Sequence, residues 1–91
     1  MLNKKEYFNS NGELHGEVIE YANGDKEWYV DGKLHREDGP AVEWANGTKN
    51  WFLNDLLHRE DGPAIEGADG TKEWYLNGVE LTEEEFNSRN Y

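Results

Sequence analysis

The chain has 91 residues, with 20 acidic side chains against 9 basic ones, a formal net charge of -11 and no cysteine. That balance excludes a basic surface for a nucleic-acid backbone or an anionic membrane. The missing thiols exclude disulfides, thiolate chemistry and cysteine zinc sites. Only 35% of the residues are hydrophobic, yet four Trp, five Tyr and three Phe are too many for a disordered segment. The expectation is one domain over 1–91 with a thin, aromatic core. No apolar run reaches the ~20 residues of a membrane span, and no secretory signal is expected; both, with the lack of cysteine, suit a cytoplasmic protein.

In chain order, residues 5–13 (KEYFNSNGE) form a partial unit, and 14–33 (LHGEVIEYANGDKEWYVDGK) a short one. Residues 34–56 and 57–79 are full units of 23 residues that agree at 16 positions, and both begin LHREDGPA. The 14–33 unit lacks the middle of that octet. A different tail occupies 80–91.

Each unit reads as strands. Runs such as WYV, WFL and WYL favour a pleated sheet. Asn23-Gly24, Asp31-Gly32, Asn46-Gly47, Asp69-Gly70 and Asn77-Gly78 are each expected to form a type I′ hairpin turn, with Asn54-Asp55 a poorer one. Gly39-Pro40 and Gly62-Pro63 mark a second corner, with Gly62 expected at positive φ. Predicted strands fall at 5–9, 13–15, 18–22, 26–30, 33–36, 41–45, 48–53, 56–59, 64–67, 71–76 and 79–81, with 33–36 and 41–45 readable as one strand broken by a bulge. In the tail, Thr82 and Glu85 predict a capping box and a short helix covering the last strand edge. The fold class is therefore all-β: an antiparallel meander of repeated hairpins with a short C-terminal capping helix.

The first full pattern, LHGEVIEYANGDK at 14–26 followed by WYVDGK at 28–33, resembles the membrane occupation and recognition nexus (MORN) repeat. The two later units, with HREDGPA and NGxKxW, resemble variant repeats of bacterial and bacteriophage proteins. That resemblance covers about 5–80. It implies a hairpin repeat acting as a non-enzymatic interaction module, such as a phage-encoded inhibitor or modulator of a host enzyme or defence system in the host cytoplasm.

The octet carries His35, Arg36, Glu37 and Asp38, repeated as His58, Arg59, Glu60 and Asp61. A metal reading would pair His35 with Asp38 and His58 with Asp61, but no third ligand recurs. A catalytic reading lacks a nucleophile beside a base. Recurrence once per unit marks a joint, with Asp-Gly-Pro turning the chain, Arg pairing with a carboxylate and His packed beneath. No catalytic residue, metal or cofactor is expected.

Paired aromatics, Tyr7-Phe8, Trp28-Tyr29, Trp51-Phe52 and Trp74-Tyr75, send one ring to each face of a sheet. The Trp ladder is expected to be core, buried by curling or by dimerising, so a homodimer is compatible with the pattern. Phe8, Tyr29, Phe52 and Tyr75 are expected to face a protein partner with a basic surface, with Glu43 and Glu66 around them. Glu20, Glu43 and Glu66 also stand in step with Lys26, Lys49 and Lys72, which predicts cross-strand ion pairs. Two other readings follow from the same residues: an acidic mimic of nucleic acid, or an oligomer that sequesters a small ligand with Arg36 and Arg59.

Overall fold

The structure, a computed structural model, describes residues 2–8 and 11–89; Asn9 at the end of the first expected strand, and Asn90 and Tyr91 in the expected cap, lie outside the described residues. The strands are β1 (Leu2–Phe8), β2 (Leu14–Tyr21), β3 (Lys26–Val30), β4 (Lys33–Leu34), β5 (Val42–Glu43), β6 (Lys49–Asn50), β7 (Phe52–Leu53), β8 (Leu56–Leu57), β9 (Ile65–Glu66), β10 (Lys72–Leu76) and β11 (Val79–Leu81). They are followed by α1 (Glu83–Asn87). All ladders are antiparallel, in the order β1-β2-β3-β5-β6-β9-β10-β11, with β4 also on β3 and β7 paired to β8. The result is a slab of 40 × 31 × 19 Å.

One edge of β3 serves two short strands. Lys26 and Glu27 pair with Glu43 and Val42 of β5, while Tyr29 and Val30 pair with Leu34 and Lys33 of β4. Between them Trp28 donates its N–H to Ala41 O (2.8 Å) and accepts from His35 N–H (3.1 Å). So β4 and β5 are one strand from which residues 35–41 loop out. Trp51 spans the next break in the same way, with Ala64 O at 2.8 Å and His58 N at 3.0 Å. Two octets, 34–41 and 57–64, thus become two loops standing on the sheet at the tryptophan row.

The first unit has no such loop, and β2 runs unbroken where two strands were expected. Its remnant is a bulge: Tyr7 pairs with Gly16 but Phe8 with Leu14, leaving His15 unopposed. Gly16 is required there, because a Cβ would lie 2.2 Å from Tyr29 O.

The turns divide into two kinds. Asp31-Gly32 (φ 52° and 78°), Asn54-Asp55 (50° and 69°) and Asn77-Gly78 (50° and 81°) have the type I′ pattern. Asp55 bears a left-handed conformation without being glycine, and its Oδ1 accepts Leu34 N–H at 2.7 Å in return. At Asn23-Gly24, Asn46-Gly47 and Asp69-Gly70 only the glycine has positive φ. Gly24 N–H donates to Tyr21 O (3.0 Å) and Tyr21 N–H to Asp25 O (2.9 Å), which makes a three-residue loop of type I turn plus glycine bulge. The other two repeat it, and the expected type I′ assignment is corrected at these three positions. The Asn or Asp side chain accepts the N–H two residues on, which favours the longer loop.

Pairing register puts Trp28, Trp51 and Trp74 on one face with Glu43, Lys49, Glu66 and Lys72, and Tyr29, Phe52 and Tyr75 on the other with Val42, Asn50 and Ile65. Among the described residues the buried apolar side chains are small apart from Phe86: Ala41 and Ala64 at 0% exposure, Val42 and Phe86 at 5%, Val18 at 9%. The tryptophans are half-buried. Octet loops cover Trp28 and Trp51, and α1 covers Trp74. The expected Lys–Glu ladder also changes: Lys26 reaches Glu20 at 3.9 Å, whereas Glu43 and Glu66 turn to Arg36 and Arg59.

Thr82 caps α1 with the full capping box. The helix packs on β10 and on the last strand β11, with Phe86 against Trp74 at 6.5 Å between ring centroids. Gly39 and Gly62 do not adopt positive φ. They are glycines because a Cβ would come within 2.9 Å of Arg36 Cζ and 3.0 Å of Arg59 Cζ. Gly62→Ala should therefore displace the guanidinium and lower stability by about 1–2 kcal/mol, as overpacking does, read as a shift in the urea midpoint at constant slope.

Candidate functional site

The octet arginines and histidines serve the fold itself. Arg36 lies flat on Trp28, its Cζ 3.9 Å from the ring centroid, and Arg59 lies on Trp51 at 3.8 Å. Each arginine bonds to its own loop and to the next strand: Arg59 Nε donates to Asp61 Oδ1 (2.9 Å), and Nη1 to Pro63 O and Glu66 Oε2 (3.1 Å each). Arg36 makes the same bonds to Asp38, Pro40 and Glu43. Their side chains are about a fifth exposed, at 22% and 21%. A fork of donors with an apolar face suits this position, and a lysine lacks both.

The histidines tie each octet to the turn that closes its own unit. His35 Nδ1 accepts Asn54 N–H at 3.0 Å, and His58 Nδ1 accepts Asn77 N–H at 2.9 Å. Each acceptor ring therefore carries its proton on Nε2, which donates to Glu37 or Glu60 at 3.1 Å. The amides belong to the type I′ turns at the end of the same unit. The octet is a joint through its arginine and its backbone, which meet the tryptophan of the preceding unit.

Among the described residues, His15, His35 and Glu37 bring possible ligand atoms within 4.8 Å of one another. Sequence spacing paired His35 with Asp38 instead. The bonding does not suit a metal: with Nδ1 accepting an amide, Nε2 holds the proton and has no lone pair to offer. His58 and Glu60 repeat the contact, so the joint alone explains it.

Two surfaces remain. On the tryptophan face, consecutive octet loops enclose an open cleft of about 630 Å³. Its floor is Trp51 and Leu53, and its walls include Glu37, Asp38, Glu60 and Asp61. Nothing in the spacing announced this cleft, which exists because the two loops stand side by side.

The other surface is the tyrosine face. Of the expected partner-binding rings, Phe8 is 57% exposed, while Tyr29, Phe52 and Tyr75 are half-buried. Glu43 and Glu66 lie on the opposite face, bound to the octet arginines. Trp44, at 44% exposure, was missed as a surface aromatic because its counterpart in the next unit is Gly67. The carboxylates that accompany these rings are Glu17, Glu27, Glu73 and Glu80. Tyr21 and Tyr29 both donate their hydroxyls to Glu27 Oε1, at 2.8 and 2.9 Å.

Burial and then that bond to Glu27 push the Tyr29 phenol up to about 12. Burial raises Tyr75 and Tyr7 as well, and the Glu27 hydrogen bond raises Tyr21. The folded state favours the neutral Tyr29 phenol. Its contribution to stability is complete below the ordinary value of 10.0 and is lost as pH rises through about 12. An alkaline melting series should thus fall across that window, and Tyr29→Phe should flatten the fall.

No protein-family model, curated protein or solved structure matches the chain. The likeness to MORN repeats rests on the sequence pattern alone.

Proposed function

We propose that the chain is a non-enzymatic, MORN-like binding module for a protein with a basic surface, met through the tyrosine face. The observation that carries this reading is the asymmetry of the slab. Both octet loops and α1 stand on the tryptophan face, and the rings of Tyr29, Phe52, Tyr75 and Trp44 stay at the surface opposite. Glu17, Glu27, Glu73 and Glu80 share that face, so it combines apolar contact area with charge that steers a cationic partner. The net charge of -11 adds to the steering. By the likeness of its octets to bacterial and bacteriophage variant repeats, the module would act on a host enzyme or defence protein in the host cytoplasm.

Capture from a host lysate with comparison of variants tests this. Phe52→Ser and Trp44→Ser should each lose the captured protein while retaining the β-sheet circular dichroism spectrum. Glu27→Gln with Glu73→Gln should mainly slow association and reduce its salt dependence. Normal capture by both ring variants, together with loss in the neutralised variant and competition by DNA, would replace this reading with nucleic-acid mimicry.

A further inference from the structure

The repeat offers a comparison within one molecule. Beside the second octet stands the tail rather than a third loop. Arg89 lies on the Phe86 ring with its Cζ 3.8 Å from the centroid, and its Nη1 donates to Phe86 O at 2.8 Å. Its Nη2 donates to the carbonyl of Glu60. The second octet is therefore seen with a guanidinium on its outer side, delivered three residues after an aromatic ring that covers Trp74.

Glu37 holds the same place in the first octet, in an identical local sequence. No donor reaches its carbonyl among the described residues. On that side lies the open cleft of about 630 Å³, floored by Trp51 and Leu53. One strand, β6 with its continuation β7, lies between successive loops, so the walls stand two strand spacings or roughly 10 Å apart, room for one side chain between them. The chain's own guanidiniums do not neutralise the rim fully. Arg36 and Arg59 lie on their indoles and are shared with Glu43, Glu66 and proline carbonyls. Glu37, Asp38, Glu60 and Asp61 keep side chains that are 68%, 90%, 77% and 87% exposed.

We infer that this cleft is an arginine-reading site. A partner protein inserts a guanidinium that donates to the Glu37 carbonyl between the four carboxylates, as Arg89 does at Glu60, while an apolar side chain one helical turn earlier rests on Leu53 and the edge of Trp51 that Arg59 leaves uncovered. Planar, multiple donors suit a carbonyl flanked by carboxylates on two walls, and an ammonium matches them less well. The site lies on the face opposite Tyr29, Phe52 and Tyr75, and stands or falls independently of the function proposed for that face.

The test is titration of the isotope-labelled full chain with the peptide acetyl-Phe-Asn-Ser-Arg-amide, followed by amide and indole nuclear magnetic resonance shifts. Shifts should gather at Asp38, Gly39, Asp61 and the Trp51 indole. A lysine-for-arginine peptide should bind roughly fivefold more weakly or worse, as should the original peptide to the Glu60→Gln/Asp61→Asn variant, which keeps the acceptors and removes charge. Arg89→Ala should open a second, equivalent position at Glu60 and add shifts around it. Absence of shifts at millimolar peptide, equal binding of the lysine peptide, or shifts confined to the tyrosine face would overturn the inference. So would a dimer in solution that dissociates on Arg89→Ala, which would put a second copy's tail in the cleft.

Discussion

A guanidinium laid flat on an indole does for this sheet what a second layer does in larger β-proteins. A single sheet cannot bury both of its faces, and 91 residues leave no second sheet to cover one. Arg36 and Arg59 solve this by stacking on Trp28 and Trp51 while their nitrogens reach the loop, the proline carbonyl and the next strand. The apolar plane meets the ring, and the polar edge satisfies groups that a hydrocarbon cover would leave unpaired. Much else follows from that placement. Gly39 and Gly62 leave room for the guanidinium. Glu43 and Glu66 leave the lysine ladder to meet it. At the last unit, where no octet follows, Phe86 takes the position over Trp74 and Arg89 covers Phe86 in turn.

The same stacking fixes one unit to the next, because each arginine lies on the tryptophan of the unit before it. The histidines close each unit on itself, each accepting the amide of the type I′ turn at the end of its own unit. Leu34 and Asp55 add a reciprocal pair, N–H to carboxylate at 2.7 Å and N–H to carbonyl at 2.9 Å. Neighbouring units are coupled by the arginine stacks and by the backbone bonds of Trp28 and Trp51 to the octet that follows each, while distant ones make little direct contact, as in other repeat architectures. The first unit keeps a histidine, His15, but no arginine. Its ring lies against Tyr7, at 5.4 Å, instead of beneath a loop.

Much of this was legible in the sequence because the repeat exposes what each position must do. The strands, the sense of their pairing, the broken strand at 33–45 and the capped helix follow from periodicity, turn residues and the Thr82–Glu85 box. The turns at Asn23-Gly24, Asn46-Gly47 and Asp69-Gly70 were not separable from type I′ by residue type. Asn-Gly serves both, and the choice depends on how many residues the flanking pair spans. The roof over the tryptophans was illegible for another reason. Arginine reads as a surface residue in composition, and only geometry shows its plane on a ring. The cleft between the loops is less legible still, since it belongs to no single unit.

A double-mutant cycle pairing Arg59→Gln with Trp51→Leu, read from urea unfolding, tests the central claim most directly. The account predicts a coupling of about 1–2 kcal/mol between the two sites, the range of a partly desolvated cation–π contact. Additive single effects, with coupling below about 0.3 kcal/mol, would mean that the guanidinium does not hold the indole, and would contradict it.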